Sequence, residues 1–338
     1  MTWPAPAAEN SAYGSTQVGG GAHRRSTGTS VWLELAQARL KNRHRTPFEY
    51  RALTTSIAEY EERIVVFLDF LGFKNHIDRS ADDAEHVARI ARAFEAVREF
   101  TEPDGGLPNR EVAQFSDCVV VSYRVEDSSS VFDLLLTVLL LQVELASRGF
   151  LVRGGITVGP LFHRTGTVFG PAMVKAYLIE SKVAKHPRII IDAKVIDVAR
   201  DYPALHHSGH EEVRYVESFL GVDDEGQHYL KYVSWDAVVE GAGADSDDWP
   251  GYMQSLCDIL REGLSSKDAR VLEKMLWLHG EYRKAIEHFF DPPRPPEVIE
   301  RHRAYYDALE DLPRLDVEAS AASVLVELAL KTPPPRQP

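Results

Sequence analysis

The sequence predicts a mixed α/β fold of the α+β kind, with helices packed on one sheet. Three observations carry this expectation. Short apolar runs rich in Val and Ile alternate with longer segments of helical period. Turns containing Gly, Pro or Asp separate them. Apolar residues make up 44 % of the 338 residues and charged residues 26 %, enough to bury a sizeable core. The length suits one large domain or two smaller ones.

Residues 1–30 are rich in Gly, Ser, Ala and Thr, and read as a disordered tail with no apolar stretch of a secretory signal. Residues 31–62 read as a charged helical segment, with Leu33, Leu35, Ala38 and Leu40 near helical spacing. The ordered core opens at 63–69 (RIVVFLD), a buried strand. A helix over 81–100 follows, with Val87, Ile90, Ala91, Phe94 and Val97 on one face. Strands at 111–115 and 118–125 are joined by Ser116-Asp117. A helix over 128–147 and a strand over 151–158, ended by Gly159-Pro160, complete the order β-α-β-β-α-β. A hairpin at 161–170 then leads into a helix over 171–185, opened by Pro171. The run 188–192 (RIIID) reads as another buried strand, and 213–219 with 228–235 as a late strand pair. From Trp249 the chain is helical to about 330, interrupted by the PPRPP run. The expected organisation is a core over 63–240 and a C-terminal helical extension over 248–330.

The order β-α-β-β-α-β is that of the ferredoxin-like, split βαβ unit. In it the first and second strands are parallel, and the third fits between them. The C-terminal end of strand one therefore lies beside the hairpin joining strands two and three. Asp69 ends strand one and Asp117 sits in that hairpin, so topology alone brings the two carboxylates together.

Bulk properties narrow the partners. The formal net charge is −13, which argues against non-specific binding to nucleic acid or to an anionic membrane. It leaves room for a small anion held with metal ions. Two cysteines, Cys118 and Cys257, cannot make a disulfide framework, so a cytoplasmic location is the expectation. The longest apolar stretch, 134–143, is broken by Thr137 and Gln142 and falls short of the ~20 residues of a membrane span.

Two carboxylates converging at one sheet edge suit divalent cations with a preference for oxygen, Mg²⁺ or Mn²⁺. Two such ions, about 3.5–4 Å apart, can stabilise the attacking and leaving oxygens of a phosphoryl transfer. Leu71, Gly72 and Phe73 follow Asp69 directly. Gly72 lets the backbone approach a ligand, and successive amides there can cradle a triphosphate. A lone Asp at a strand end is usually a turn or cap residue. The convergence of two beside a glycine turn is what points to a metal site.

The string Val66-Phe67-Leu68-Asp69-Phe70-Leu71-Gly72-Phe73 resembles the opening metal motif of class III nucleotidyl cyclases, and Phe115-Ser116-Asp117 resembles the second. The stretch VRGGITVGPLFHRTGTVFGPAMVKAYLIE is similar to the strand, hairpin and helix that follow, and the resemblance covers about 62–235. It implies a palm-type cyclase core with added strands, metals held by Asp69, Asp117 and the Phe70 backbone, and catalysis by Asp69 and Asp117. The departures are informative. The Asn and Arg that stabilise the transition state in purine cyclases fall at Val174 and Leu178 here, and the purine-reading pair falls near Ala113 and Thr167. A narrower set (FLDFLGFK, QFSDCVVVS, RGGITVGPLFH, VFGPAMVKAY, HPRIIID and KMLWLHGEYRKAI) resembles the pyrimidine nucleotide cyclases of bacterial anti-phage Pycsar systems. That resemblance implies UTP or CTP as substrate, UTP favoured, and two Mn²⁺ or Mg²⁺ per site. It also implies a homodimer with shared sites, and a cyclic UMP or cyclic CMP messenger for a separate effector. A purine cyclase and a non-catalytic nucleotide-binding regulator stand as alternatives.

Several residues carry two readings. Arg153 could neutralise phosphate charge or pair with a nearby carboxylate. Lys175 and Tyr177, near the lost Asn and Arg positions, could replace them, or be a solvated Lys and a packed Tyr. Lys231 loosely matches the Lys that binds terminal phosphates in cyclases. Ala113, Gln114, Phe115 and Thr167 are base-pocket candidates, and Gln114, Phe115 and Tyr177 are candidates to close that pocket on a one-ring base. His206, His207 and His210 have metal-like spacing in an acidic loop but read as solvated. Cys118 is expected on the strand face opposite Asp117, as a packed thiol.

Overall fold

A computed structural model describes residues 59–101, 109–164, 166–291 and 293–331. The expected tail over 1–30, and the helical segment as far as residue 58, lie outside the described residues.

The first strand, β1 (Glu61–Phe70), starts two residues earlier than predicted and takes in the end of that helical segment. After Gly72 come two helices, α1 (Phe73–Ser80) and α2 (Ala84–Thr101), where one was expected. The hairpin β2 (Glu111–Phe115) and β3 (Cys118–Arg124) leads to α3 (Ser130–Ser147) and β4 (Val152–Arg164). These elements form the antiparallel order β2-β3-β1-β4, the β-α-β-β-α-β unit read from the sequence.

β4 does not stop at Gly159-Pro160. It continues to Arg164 and turns into β5 (Thr167–Phe169). Beyond Ile156 the strand β6 (Ile189–Ile191) no longer pairs with it, so Pro160 sits on an edge, where a missing N–H is tolerated. The helix α4 (Pro171–Leu178) passes into a π-helical turn, Ile179–Val183, rather than running evenly to 185.

The segment expected as a strand at 213–219 is instead helix α6 (Gly209–Ser218), which follows α5 (Ala193–Asp201). Ser208 and Glu211 form a reciprocal capping box, which starts a helix. Val213, Val216 and Phe219 are buried at a spacing of three, which suits a helix face and not the alternation of a strand. The late strands are short: β7 (Leu220–Val222) and β8 (His228–Leu230), which extend the sheet beyond β6.

The C-terminal region holds α7 (Trp249–Leu264), α8 (Ala269–Phe290), α9 (Pro296–Arg301), α10 (Arg303–Glu310) and α11 (Asp316–Lys331). It shares one core with the sheet. Ile64, Val66, Leu68 and Phe70 of β1 cluster with Leu134, Leu135 and Val138 of α3, and with Met253, Leu256, Leu260 and Leu278 of the C-terminal helices. Among the described residues α3 is the helix long and apolar enough to cross a membrane by length and composition. More than half of it is buried inside the protein, which accounts for that composition.

The opposite sheet face carries a smaller cluster: Val65, Phe67, Ala113, Val120 and Leu161, covered by Ala172 and Ala176 of α4. Gly155 makes this close approach possible. A Cβ there would stand 2.6 Å from the Ala176 carbonyl oxygen and 2.7 Å from Ile179 Cβ.

Candidate active site at the end of the central strands

Asp69 lies on the face of β1 that carries Val65 and Phe67, one step beyond the cover of α4. Its lateral neighbours are Cys118 on β3 and Arg153 on β4. These three form one row across the sheet. Asp117 stands at the end of the row, in the two-residue turn between β2 and β3. Ser116 takes the left-handed conformation (φ 54°) that this tight turn needs. The Phe70 amide donates to the Asp117 carbonyl oxygen at 3.2 Å and ties the turn to the end of β1.

Ligand atoms of Asp69, Asp117 and Cys118 all lie within 4.8 Å of one another, and all three side chains are half-buried. Burial and the neighbouring Asp117 charge push the Asp69 carboxyl above its usual range, against the opposing pull of Arg153. Burial, with the charges of Asp69 and Asp117, pushes the Cys118 thiol up to about 12. It stays protonated and faces Asp69 Oδ1 at 3.7 Å. Two carboxylates held in mutual repulsion fit a divalent cation, which would relieve it. The donor set is oxygen-rich and the thiol neutral, so it suits Mg²⁺ or Mn²⁺.

The Cys118 expectation is corrected here. Strand alternation does not carry over from Asp117, because Asp117 belongs to the turn. Cys118 therefore shares the face of its cross-strand partner Asp69.

Arg153 pairs with two carboxylates, Asp69 at 3.7 Å and the almost fully buried Glu180 of the π-helical turn. Burial raises the Glu180 carboxyl, and Arg153 opposes the shift. Sequence reading missed Glu180. Its signal is the close approach of 179–183 to β4, which Gly155 permits.

The backbone after Asp69 is partly engaged. The Leu71 amide donates to the Leu151 carbonyl at 2.8 Å, so it is not free for the phosphate contact expected of it. Gly72 takes φ 69°, costly for other residues, and opens α1 with Phe73.

The remaining candidates spread apart. Ala113 is buried under α4, whereas Gln114 and Phe115 are exposed, Phe115 to 51 %. Thr167 is exposed on β5. Lys175 pairs with Asp192 rather than with solvent. Burial alone would raise the Asp192 carboxyl, but hydrogen bonds from Lys175 and Thr157 hold it below its usual range. Tyr177 packs its ring edge-on to Phe67 at 5.7 Å and is half exposed. Lys231 follows β8 instead of lying within a strand, its amide bonded to the Phe219 carbonyl. His207 bonds Glu212 at 2.7 Å and stacks on Tyr215, a structural use.

A cleft of about 1020 Å³ opens from this site. Asp69, Gly72 and Arg153 line one side, and residues of α7 and α8 the other.

No protein-family model matches the chain, and no curated protein does. Among solved structures, the adenylyl cyclase CyaB from P. aeruginosa is 14 % identical over 42 % of this chain and 82 % of that chain, with a TM-score of 0.34. The monomeric guanylyl cyclase domain of the RhoGC fusion protein from the aquatic fungus Blastocladiella emersonii is 14 % identical over 51 % of this chain and 95 % of that chain, with a TM-score of 0.32. A class III adenylyl cyclase-like ATP-binding protein from Pseudomonas aeruginosa is 12 % identical over 54 % of this chain, with a TM-score of 0.35; the match spans 40 % of that protein.

Proposed function

We propose that this chain is a nucleotidyl cyclase that converts a pyrimidine nucleoside triphosphate, UTP before CTP, to its 3′,5′-cyclic monophosphate and pyrophosphate. The observation that carries the reading is the pair Asp69 and Asp117. Topology and the Phe70 amide hold them together at the open end of the central strands, beside the Gly72 turn. Asp69, Asp117 and the Phe70 backbone would hold two Mn²⁺ or Mg²⁺ ions. When bound, such ions lower the pKa of a coordinated hydroxyl and neutralise phosphate charge. The chain's own part is positioning and electrostatics. Amides from Gly72 onward orient the phosphates, Arg153 balances charge beside Asp69, and protonated Cys118 keeps the carboxylate oriented. The ribose 3′-oxygen attacks the α-phosphorus in line, and pyrophosphate departs.

The pyrimidine assignment rests on the departures from the purine pattern. Val174 and Leu178, at the lost Asn and Arg positions, are 58 % and 46 % exposed on α4. Ala113, buried and apolar, offers no hydrogen bond to a base edge. Thr167 offers one hydroxyl that donates or accepts.

Val174, Tyr177, Leu178 and Phe115 leave large apolar surface exposed on the side of the site. Such a patch supports a homodimer with shared sites, in which Thr167, Lys175 and Lys231 face Asp69 and Asp117 of the second copy. The product would act as an anti-phage messenger on a separate effector.

Incubating the full chain with Mn²⁺ and each of the four nucleoside triphosphates, with products identified by mass, tests the reading. Cyclic UMP or cyclic CMP is expected. Cyclisation of ATP or GTP at a kcat/KM equal to or above both pyrimidines would make it a purine cyclase. No cyclisation of any of the four would leave the non-catalytic regulator.

A further inference from the structure

Charged groups line the cleft beyond Asp69. Asp69 stands at one end, with Asp117 beside it. Next comes Arg153, paired with Asp69 and Glu180. Beyond Arg153, from the C-terminal helix α8, comes Lys274. The Lys274 ammonium is close enough to Arg153 for the two charges to repel, and it is half-buried.

Several other cations of the cleft are satisfied locally. Arg79 pairs with Glu262, Arg148 with Glu144, and Arg270 with Asp268. Arg89 stacks on Phe150 and reaches the Arg148 carbonyl. Lys274 makes no ion pair among the described residues. It donates to the Arg270 carbonyl of its own helix, at 3.0 Å. A half-buried ammonium with no ion pair, near a second cation, favours an added anion. Burial and the Arg153 charge hold the Lys274 ammonium below its usual range, against the pull of Glu273 and Asp268.

α8 is placed for this by tight packing. A Cβ on Gly263 would stand 2.4 Å from Met275 Sδ, so the glycine lets α8 close on α7 beside the cleft, with Lys274 next to Met275.

We propose that Lys274 is a triphosphate-binding residue, supplied by the C-terminal helical region to the terminal phosphates of the nucleotide and to the departing pyrophosphate. The inference rests on the cyclase reading of Asp69 and Asp117. The carboxylates on the α7 and α8 side of the cleft, Asp258, Glu262 and Asp268, are each paired with an arginine, so Arg153 and Lys274 would be left to meet a nucleotide whose reacting phosphate lies at the metals and whose tail points toward α8. Lys274 then performs, within one chain, the task the sequence resemblance gave to Lys231, which does not line this cleft. The C-terminal helices become part of the catalytic machinery.

The test is calorimetric titration of the full chain with inorganic tripolyphosphate in Mn²⁺, and in parallel with each nucleoside triphosphate in Ca²⁺ to slow turnover. Lys274→Ala and Lys274→Met should weaken tripolyphosphate binding by about tenfold or more, the usual effect of removing a charge-assisted contact. Lys274→Arg should stay within about threefold, and Lys194→Ala, on α5, should bind as the wild type does. Equal melting temperatures establish that each variant is folded. Wild-type affinity in the Ala and Met variants would overturn the proposal. So would an Arg variant as weak as Ala. A wild-type chain that binds no nucleoside triphosphate would overturn the cyclase reading, and this inference with it.

Discussion

Replacing Asp117 by Asn should stabilise the metal-free protein and abolish its response to Mn²⁺. The change removes one charge and little else. Asn suits a turn as well as Asp does, and the bond from the Phe70 amide goes to the backbone oxygen, which is untouched. Asp69 and Asp117 present oxygens within 4.8 Å. Two unit charges at that separation repel by roughly 3–4 kcal/mol at an effective dielectric of 20. Both groups are half-exposed, so solvent and salt reduce this to about 1 kcal/mol. For a chain of this size that is about 2 °C in Tm. In the wild type, Mn²⁺ at a hundredfold excess over its Kd should add about 2.7 kcal/mol, roughly 5 °C. Scanning calorimetry in chelator, and then in Mn²⁺, reads both quantities. A lower Tm for Asp117→Asn in chelator would refute the repulsion argument. An Mn²⁺ increment equal to that of the wild type would refute the metal site.

Asp69→Ala and Asp117→Ala should each leave less than a tenth of wild-type turnover at saturating Mn²⁺. A verified heterodimer of an Asp69→Ala chain with a chain carrying Thr167→Ala and Lys175→Ala should recover activity, because one of its two sites is then intact; no recovery counts against shared sites. Gly155→Ala should cost about 1–3 kcal/mol, since the new methyl meets the Ala176 carbonyl, and denaturant unfolding measures it. Stability should fall between pH 6.5 and about 4. His76, His163 and His186 are each lowered to about 4, chiefly by burial, so the unfolded chain binds more protons in that window. For the buried His163 the loss is about 2 kcal/mol by pH 5. Its Nδ1 lies 2.8 Å from the Ser122 hydroxyl oxygen, which accepts from Arg63 Nε, and the Arg63 charge opposes a second cation there. His163→Leu should flatten part of the pH dependence in urea melts.

The sequence by itself determined the strand order and, through it, the meeting of Asp69 and Asp117. Hydrophobic period and turn residues set the order of elements, and the split βαβ topology leaves one place for the third strand. Gly72 and the helix after Pro171 were legible for the same reason: each depends on backbone rules that act over a few residues. The helix at 209–218 was not. Val213, Tyr215 and Phe219 alternate as a strand would, whereas Val213, Val216 and Phe219 follow a helix, and the capping box at Ser208 and Glu211 starts that helix.

Tertiary structure decided what surrounds the carboxylates. Cys118 joins Asp69 because cross-strand register, not alternation from the turn, sets its face. Glu180 reaches Arg153 because Gly155 admits the π-helical turn against β4. The Leu71 amide, expected to face a phosphate, is taken instead by the Leu151 carbonyl, 80 residues away in sequence. Lys274, more than 200 residues from Asp69, enters the same cleft only because α7 and α8 pack into the sheet's own core. Local sequence fixes which way a chain turns. Which distant side chains share a cleft depends on how buried surfaces fit together, and no short-range pattern encodes that fit.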